Sequence, residues 1–135
     1  MEYIYQAHQL VQYVADRLNK YEKKLEKDKK YKDIFRAINL SLWSTPVYNA
    51  QMVYTYVQRA NSVHVLDRES LDLRSTYLES ALNNLNLLET SITTLRNAFG
   101  PDIKDRFLIE LSQKIDYERK LIKGVQSSDI KRGTC

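Results

Sequence analysis

The sequence has few of the residues that make turns and covalent cross-links. Its 135 residues include three glycines, two prolines and one cysteine. This shortage of turn formers, together with the absence of an alternating strand pattern, favours an all-α fold. The cysteine is the last residue, Cys135, and it excludes an internal disulfide framework and a cysteine metal cluster. We therefore predict no metal and no other cofactor.

Long apolar runs are also missing. No run approaches the 18 apolar residues of a membrane-spanning helix. The start, MEYIYQAHQL, lacks the basic-then-apolar layout of a signal peptide. These two observations predict a soluble, cytoplasmic protein that has no membrane partner.

Catalytic motifs are scarce. The sequence has no glycine-rich phosphate loop and no His-Glu-x-x-His pair. Arg59 and His64 match the Arg-x4-His pattern of HEPN ribonucleases, small helical bundles in which His64 would serve as acid or base and Arg59 would bind the scissile phosphate in a dimer cleft. Nine arginines and two histidines give such a match by chance in roughly one sequence in three. We predict that the protein is not an enzyme and keep the ribonuclease as an alternative.

Helical periodicity is the strongest signal that the sequence does contain. Apolar residues recur at steps of three and four from residue 71 to residue 99, after a capping Asp67 and before Gly100-Pro101. Similar patterns cover about residues 3–26, 32–63 and 101–126. We predict an antiparallel, up-down-up-down four-helix bundle as one domain over residues 1–126 and a flexible tail over residues 127–135.

The second predicted helix is apolar on two faces. Pro46 predicts a kink, or a break into two helices at residues 44–46. A helix in a four-helix bundle keeps one outer face, so a second apolar face favours contact with another subunit. The predicted oligomer interface consists of Leu40, Trp43, Val47, Tyr54 and Val57.

Positive charge is concentrated in one segment. Residues 16–36 contain nine basic and five acidic residues, an excess equal to the whole chain's net charge of +4. The segment is either a solvated helix end with i,i+4 ion pairs or a phosphate-binding surface. The candidate phosphate contacts are Lys20, Lys23, Lys24, Lys27, Lys29, Lys30 and Arg36. A second, weaker group is Arg119, Lys120 and Lys123. The ten tyrosines suit subunit interfaces, with base stacking as the alternative.

Three segments carry a resemblance to a known family. They are RLNKYEKK, RSTYLESALNNLNLLETSITTLRNAF and FLIELSQKIDYERKLIKGV. With the order of the helices, they resemble the accessory variability determinant (Avd) proteins of diversity-generating retroelements, and the related four-helix bundles encoded in intervening sequences of ribosomal RNA genes. The resemblance covers most of residues 10–126. Lys123 and Val125 stand where the family tends to have glycine and tryptophan.

The resemblance implies a non-catalytic accessory protein. Avd proteins are basic bundles that assemble as pentameric barrels. They bind the reverse transcriptase and the template RNA of the retroelement and support mutagenic complementary-DNA synthesis. By this resemblance we expect a homopentamer whose partners are a reverse transcriptase and RNA. A plain structural or interaction bundle remains an alternative.

Overall fold

The computed structural model describes residues 1–37 and 41–133. Over these residues the prediction of an all-α fold is confirmed, because the chain forms five α-helices that pack together, two 3-10 turns and no strand. No helix in these two ranges is both long enough and apolar enough to cross a membrane. The helices are α1 (Glu2–Glu26), α2 (Lys32–Ala37), α3 (Ser41–Ser62), α4 (Arg68–Phe99) and α5 (Asp105–Gly133), with 3-10 turns at Lys29–Tyr31 and Gly100–Asp102.

Helix α4 begins and ends at the predicted signals. The Asp67 carboxylate accepts a hydrogen bond from the Ser70 amide at 2.9 Å, and the Ser70 hydroxyl accepts one from the Asp67 amide at 3.0 Å. The helix ends before Gly100, whose φ of 59° is open to glycine without strain. The next α-helix begins at Asp105 rather than at Pro101, because residues 100–102 form a 3-10 turn and Ile103 is extended.

The second predicted helix consists of two helices, α2 and α3. The alternative break at residues 44–46 is wrong, since α3 continues through Pro46. Pro46 lies in the second turn, where its missing amide removes one hydrogen bond close to the helix start. The interval between α2 and α3, residues 38–40, lies outside the described part of the chain.

The four long helices α1, α3, α4 and α5 each pack against two of the others. Helix α3 lies against α1 and α4, and helix α5 lies against the same two. The ring of Trp43 lies 5.0 Å from that of Phe99, and the Ser91 hydroxyl lies 3.0 Å from the Asn49 side-chain oxygen. Residue numbers therefore rise along α3 as they fall along α4, which makes the pair antiparallel. Contacts between α1 and α3, between α1 and α5, and between α4 and α5 also join rising residue numbers on one helix to falling numbers on the other, so these pairs are antiparallel too.

The two apolar faces of α3 are both used within the chain. Trp43 is 5% exposed and Val57 is fully buried, so the predicted subunit interface is wrong for these two residues. The physical reason is that α3 lies between α1 and α4, and each neighbour covers one face. Val47 and Tyr54 are half-buried against the core. Leu40 lies outside the described residues.

The predicted flexible tail is wrong over residues 127–133. Helix α5 continues through Gly133, and Asp129 on it is buried. The Arg74 guanidinium of α4 binds the Asp129 carboxylate at 2.6 Å. A buried ion pair of this kind ties the last turns of α5 to α4.

Candidate nucleic-acid interface

Six predicted phosphate contacts lie together at one end of the molecule. Three are on the last two turns of α1, one caps the C-terminus of that helix, and two are on the 3-10 turn that follows. All six side chains are exposed. The side chain of Arg36, the seventh predicted contact, lies outside the described part of the chain. We call these six residues the lysine end: Lys20, Lys23, Lys24, Lys27, Lys29 and Lys30.

The 3-10 turn of the lysine end is fixed by its own caps and by one buried tyrosine. The Asp28 carboxylate accepts a hydrogen bond from the Lys30 amide at 3.0 Å. The Tyr31 hydroxyl donates to the Phe99 carbonyl at 2.8 Å and contacts the Asp102 carboxylate. The Tyr31 ring also packs on the Phe99 ring, with centroids 5.1 Å apart. The turn is thereby attached to the C-terminal end of α4.

Lys30 is partly engaged by the protein itself. Its ammonium lies 3.6 Å from the Asp102 carboxylate and 5.1 Å from the Tyr31 ring centroid. The hydrogen bond from Tyr31, with smaller contributions from Lys30 and Lys24, holds the pKa of Asp102 below its ordinary value. The same hydrogen bond is the main reason why the pKa of Tyr31 is raised. Lys30 therefore helps to hold the turn and is less available to a ligand.

The remaining lysines are less engaged. Lys20 lies 3.3 Å from Asp16 in an exposed i,i+4 pair, and such pairs contribute little. The other four lysines make no ion pair within residues 1–37 and 41–133. An exposed ammonium without a carboxylate partner can take a nucleic-acid phosphate and release a counter-ion. These four are Lys23, Lys24, Lys27 and Lys29.

On α1, the carboxylates of Glu22 and Glu26 lie on a different side from a group of cations that are their neighbours in the sequence. Tyr13 marks the side of α1 that faces α5, because its hydroxyl donates to Glu110 at 2.8 Å. Glu22 lies on the other side, in a groove between α1 and α3. At 100° per residue, Glu26 follows Glu22 on that side. The cations that share the side of Tyr13 are Arg17, Lys20, Lys24 and Lys27.

The second predicted group of cations does not join the lysine end. The Arg119 guanidinium is held by Glu89, by Asp116 at 2.7 Å and by Asn86 at 2.9 Å. Lys120 and Lys123 are exposed on the same stretch of α5. The rise of an α-helix places this stretch about 20 Å beyond the start of α5, which is the part that adjoins the lysine end.

The candidate ribonuclease pair is not assembled within one chain. The Arg59 guanidinium lies over the Tyr56 ring, 5.5 Å from its centroid. His64 is exposed in the connection between α3 and α4. No hydrogen bond joins the two side chains in the described part of the chain.

The opposite end of the molecule contains buried charges. Besides binding Asp129, the Arg74 guanidinium donates to the Ala60 carbonyl at 3.1 Å. Glu118 of α5 is fully buried, and neither carboxylate oxygen has a hydrogen-bond partner among the described residues. Burial, with a smaller contribution from Glu2, raises the pKa of Glu118 to about 8. Two acidic residues, Glu118 and Asp129, are therefore buried rather than on a solvated face of the molecule.

The sequence contains a signal for one of these residues. Glu118 stands at helical spacing between Ile115 and Ile122, two residues of an apolar stripe. A carboxylate inside such a stripe predicts a buried acid. Tyr31 carries no comparable signal, because its partners Phe99 and Asp102 lie about 70 positions away.

Comparison of the chain with protein-family models, with curated proteins and with solved structures found no match. Within the two described ranges, no group of three or more His, Cys, Asp and Glu side chains is placed to hold a metal ion.

Proposed function

We propose that the protein is a non-catalytic accessory protein of the Avd type and that it binds RNA phosphates at the lysine end. One observation carries this proposal. Lys23, Lys24, Lys27 and Lys29 are exposed and unpaired on one end of the molecule. Four cations that the protein leaves without its own carboxylates favour a polyanionic ligand.

The chemistry of the surface favours binding without sequence recognition. Lysine ammonium groups meet phosphate oxygens as point charges and carry no base-reading geometry. The Tyr31 contacts with Phe99 and Asp102 hold the 3-10 turn against α4. A turn that is already fixed loses less conformational entropy when a ligand binds.

The resemblance in three helical segments supports the wider assignment. On that basis the protein is a cytoplasmic four-helix bundle that forms a homopentamer and binds the reverse transcriptase of a diversity-generating retroelement. The antiparallel packing of the four long helices is compatible with this fold class. Among the members of the predicted subunit interface that the structure describes, Val47 and Tyr54 are half-buried and keep exposed surface.

Two observations support leaving ribonuclease activity out of the proposal. The Arg59 guanidinium lies over the Tyr56 ring, 5.5 Å from its centroid. His64 lies exposed in a connection between helices, and no hydrogen bond in the described residues orients its ring. A general acid or base is more effective when a partner fixes its orientation.

The test is RNA binding by a double variant, Lys23→Gln with Lys27→Gln. We expect its affinity for unrelated RNA sequences to fall about tenfold at low salt, because two phosphate contacts are lost. The log–log salt slope should become shallower by about 1.4 on single strands, at about 0.7 per contact. Fluorescence anisotropy at several salt concentrations measures both quantities.

The matched comparison is Lys120→Gln with Lys123→Gln, which removes the same charge from α5. We expect this variant to retain the wild-type salt slope of RNA binding, because Lys120 and Lys123 lie outside the proposed binding surface. Circular dichroism and light scattering establish that helicity and subunit number are the same in all variants. Equal losses in the two double variants would mean that net charge, and not the lysine end, determines binding.

A further inference from the structure

Two cationic side chains contact the aromatic ring of Tyr13. The Arg17 guanidinium lies 5.5 Å from the ring centroid, and the Lys114 ammonium of α5 lies 4.9 Å from it. The ring is held between α1 and α5, stacked on Phe107 with centroids 5.9 Å apart. Cation–π contacts hold a charge in place without neutralising it. We call Tyr13, Arg17 and Lys114 the seam.

The positive charge of the seam is not neutralised by an ion pair. Neither Arg17 nor Lys114 forms one in residues 1–37 and 41–133. The nearby Glu110 accepts from the Tyr13 hydroxyl at 2.8 Å and from Arg106 at 3.1 Å, so both its oxygens are used. The hydrogen bond from Tyr13, with smaller contributions from Arg106 and Arg17, lowers the pKa of Glu110. Glu110 is therefore ionised and hydrogen-bonded to Tyr13 and Arg106, and its negative charge offsets part of the positive charge of Arg17.

The seam is continuous with the lysine end. Arg17 is followed on the same side of α1 by Lys20, Lys24 and Lys27, at steps of three and four. Two acidic residues of this part of α1, Glu22 and Glu26, lie on the other side, and a third, Asp16, lies beside the row and pairs with Lys20 at 3.3 Å. The cations thus form one row along α1. From Arg17 to Lys27, the residue that caps the C-terminus of α1, the row is about 15 Å long.

We propose that the seam extends the RNA-binding surface, so that a single strand runs along α1 from the lysine end to Tyr13, with Arg17 and Lys114 on its phosphates. The inference rests on the proposed function. A single row of cations matches one phosphate backbone, whereas an RNA duplex presents two backbones, one on each side of every groove. A length of about 15 Å accommodates about four stacked nucleotides.

The test compares the seam variant, Arg17→Gln with Lys114→Gln, with the variant Lys23→Gln with Lys27→Gln. The probes are labelled single-stranded RNA of about 12 nucleotides and an RNA duplex of the same length. We expect the seam variant to bind the single strand about tenfold more weakly at low salt, with a slope shallower by about 1.4. Duplex affinity should change by less than threefold.

The outcomes separate the seam from the proposed function. If the seam variant binds the single strand as the wild type does while Lys23→Gln with Lys27→Gln binds weakly, the seam is refuted and the lysine end stands. If the wild-type protein shows no salt-dependent binding to either probe, both proposals fail. Equal losses on the single strand and the duplex would overturn the single-strand assignment. Unchanged helicity and mass in both variants show that the losses are local.

Discussion

The two ends of the molecule differ in whether their charged side chains are exposed or buried. At the lysine end, Lys23 and Lys27 are exposed and form no ion pair in the described residues. At the far end, Arg74 and Asp129 are buried and lie 2.6 Å apart, and Glu118 is buried without a hydrogen-bond partner among those residues. Exposed charges contribute little to stability and are open to ligands. Buried charges are costly to separate. We therefore expect ligand binding at the lysine end and a contribution to conformational stability at the far end.

The largest expected effect follows from breaking the buried ion pair. Arg74→Leu leaves the Asp129 carboxylate buried without its partner and removes a donor from the Ala60 carbonyl. We expect the free energy of unfolding to fall by about 3–5 kcal/mol, measured by urea denaturation. The double variant Arg74→Leu with Asp129→Leu should lose less than the single one, because no unpaired buried charge remains.

The matched control is an exposed arginine on the same helix. Arg68 pairs with Asp72 at 3.4 Å, and both side chains are mostly exposed. Arg68→Leu should change the free energy of unfolding by less than about 0.5 kcal/mol. Similar losses for Arg74→Leu and Arg68→Leu would show that burial does not distinguish the two pairs.

The next largest expected effect is a pH dependence of the free energy of unfolding, which Glu118 produces. Its pKa is about 8 in the folded protein, against an ordinary value of 4.5. Between these two values the folded state binds a proton that the unfolded state has lost, so stability falls as pH rises. The steepest slope for one proton is about 1.4 kcal/mol per pH unit. The stability that protonated Glu118 contributes is fully present below pH 4.5 and is lost above the pKa that Glu118 has in the folded protein.

Glu118→Gln isolates this effect because it keeps the shape and removes the titration. Denaturation at pH 5, 7 and 9 should show that the variant gains stability over the wild type as pH rises, with the smallest difference at pH 5. Other groups titrate equally in both proteins and cancel in the difference. A difference that is the same at all three pH values would show that Glu118 does not carry a raised pKa.

The sequence predicts the helices whose signals are local. α1 lies where the apolar stripe over residues 3–26 places it, and α4 ends at the predicted Gly100. A cap or a stripe is encoded within a few turns of the helix that it defines, so one segment is sufficient to detect it. The lysine end is also local, because its six members belong to one short segment.

The features that the sequence does not predict depend on distant residues. Residues 127–133 look like a polar tail, and their helix is anchored by Arg74, 55 positions before Asp129. Trp43 looks available to another subunit until α1 and α4 are placed on both sides of α3. The seam needs α1 and α5 together, since Lys114 reaches the ring of Tyr13. No periodicity along one segment contains this information.

The smallest expected effect completes the comparison of the two ends. Lys23→Gln with Lys27→Gln, the variant that should weaken RNA binding about tenfold, should change the free energy of unfolding by less than about 0.5 kcal/mol. Neither side chain forms an ion pair in the described residues, and Gln keeps the helical propensity of Lys. Removing two neighbouring like charges relieves repulsion but also removes positive charge from the C-terminal end of α1, where it is favourable. The two effects oppose each other, so the net change should be small and should shrink as salt is added. Urea denaturation at low and high salt measures it. A loss above about 1 kcal/mol would mean that these lysines hold the fold together, and the weaker binding of the variant would then reflect unfolding rather than lost phosphate contacts.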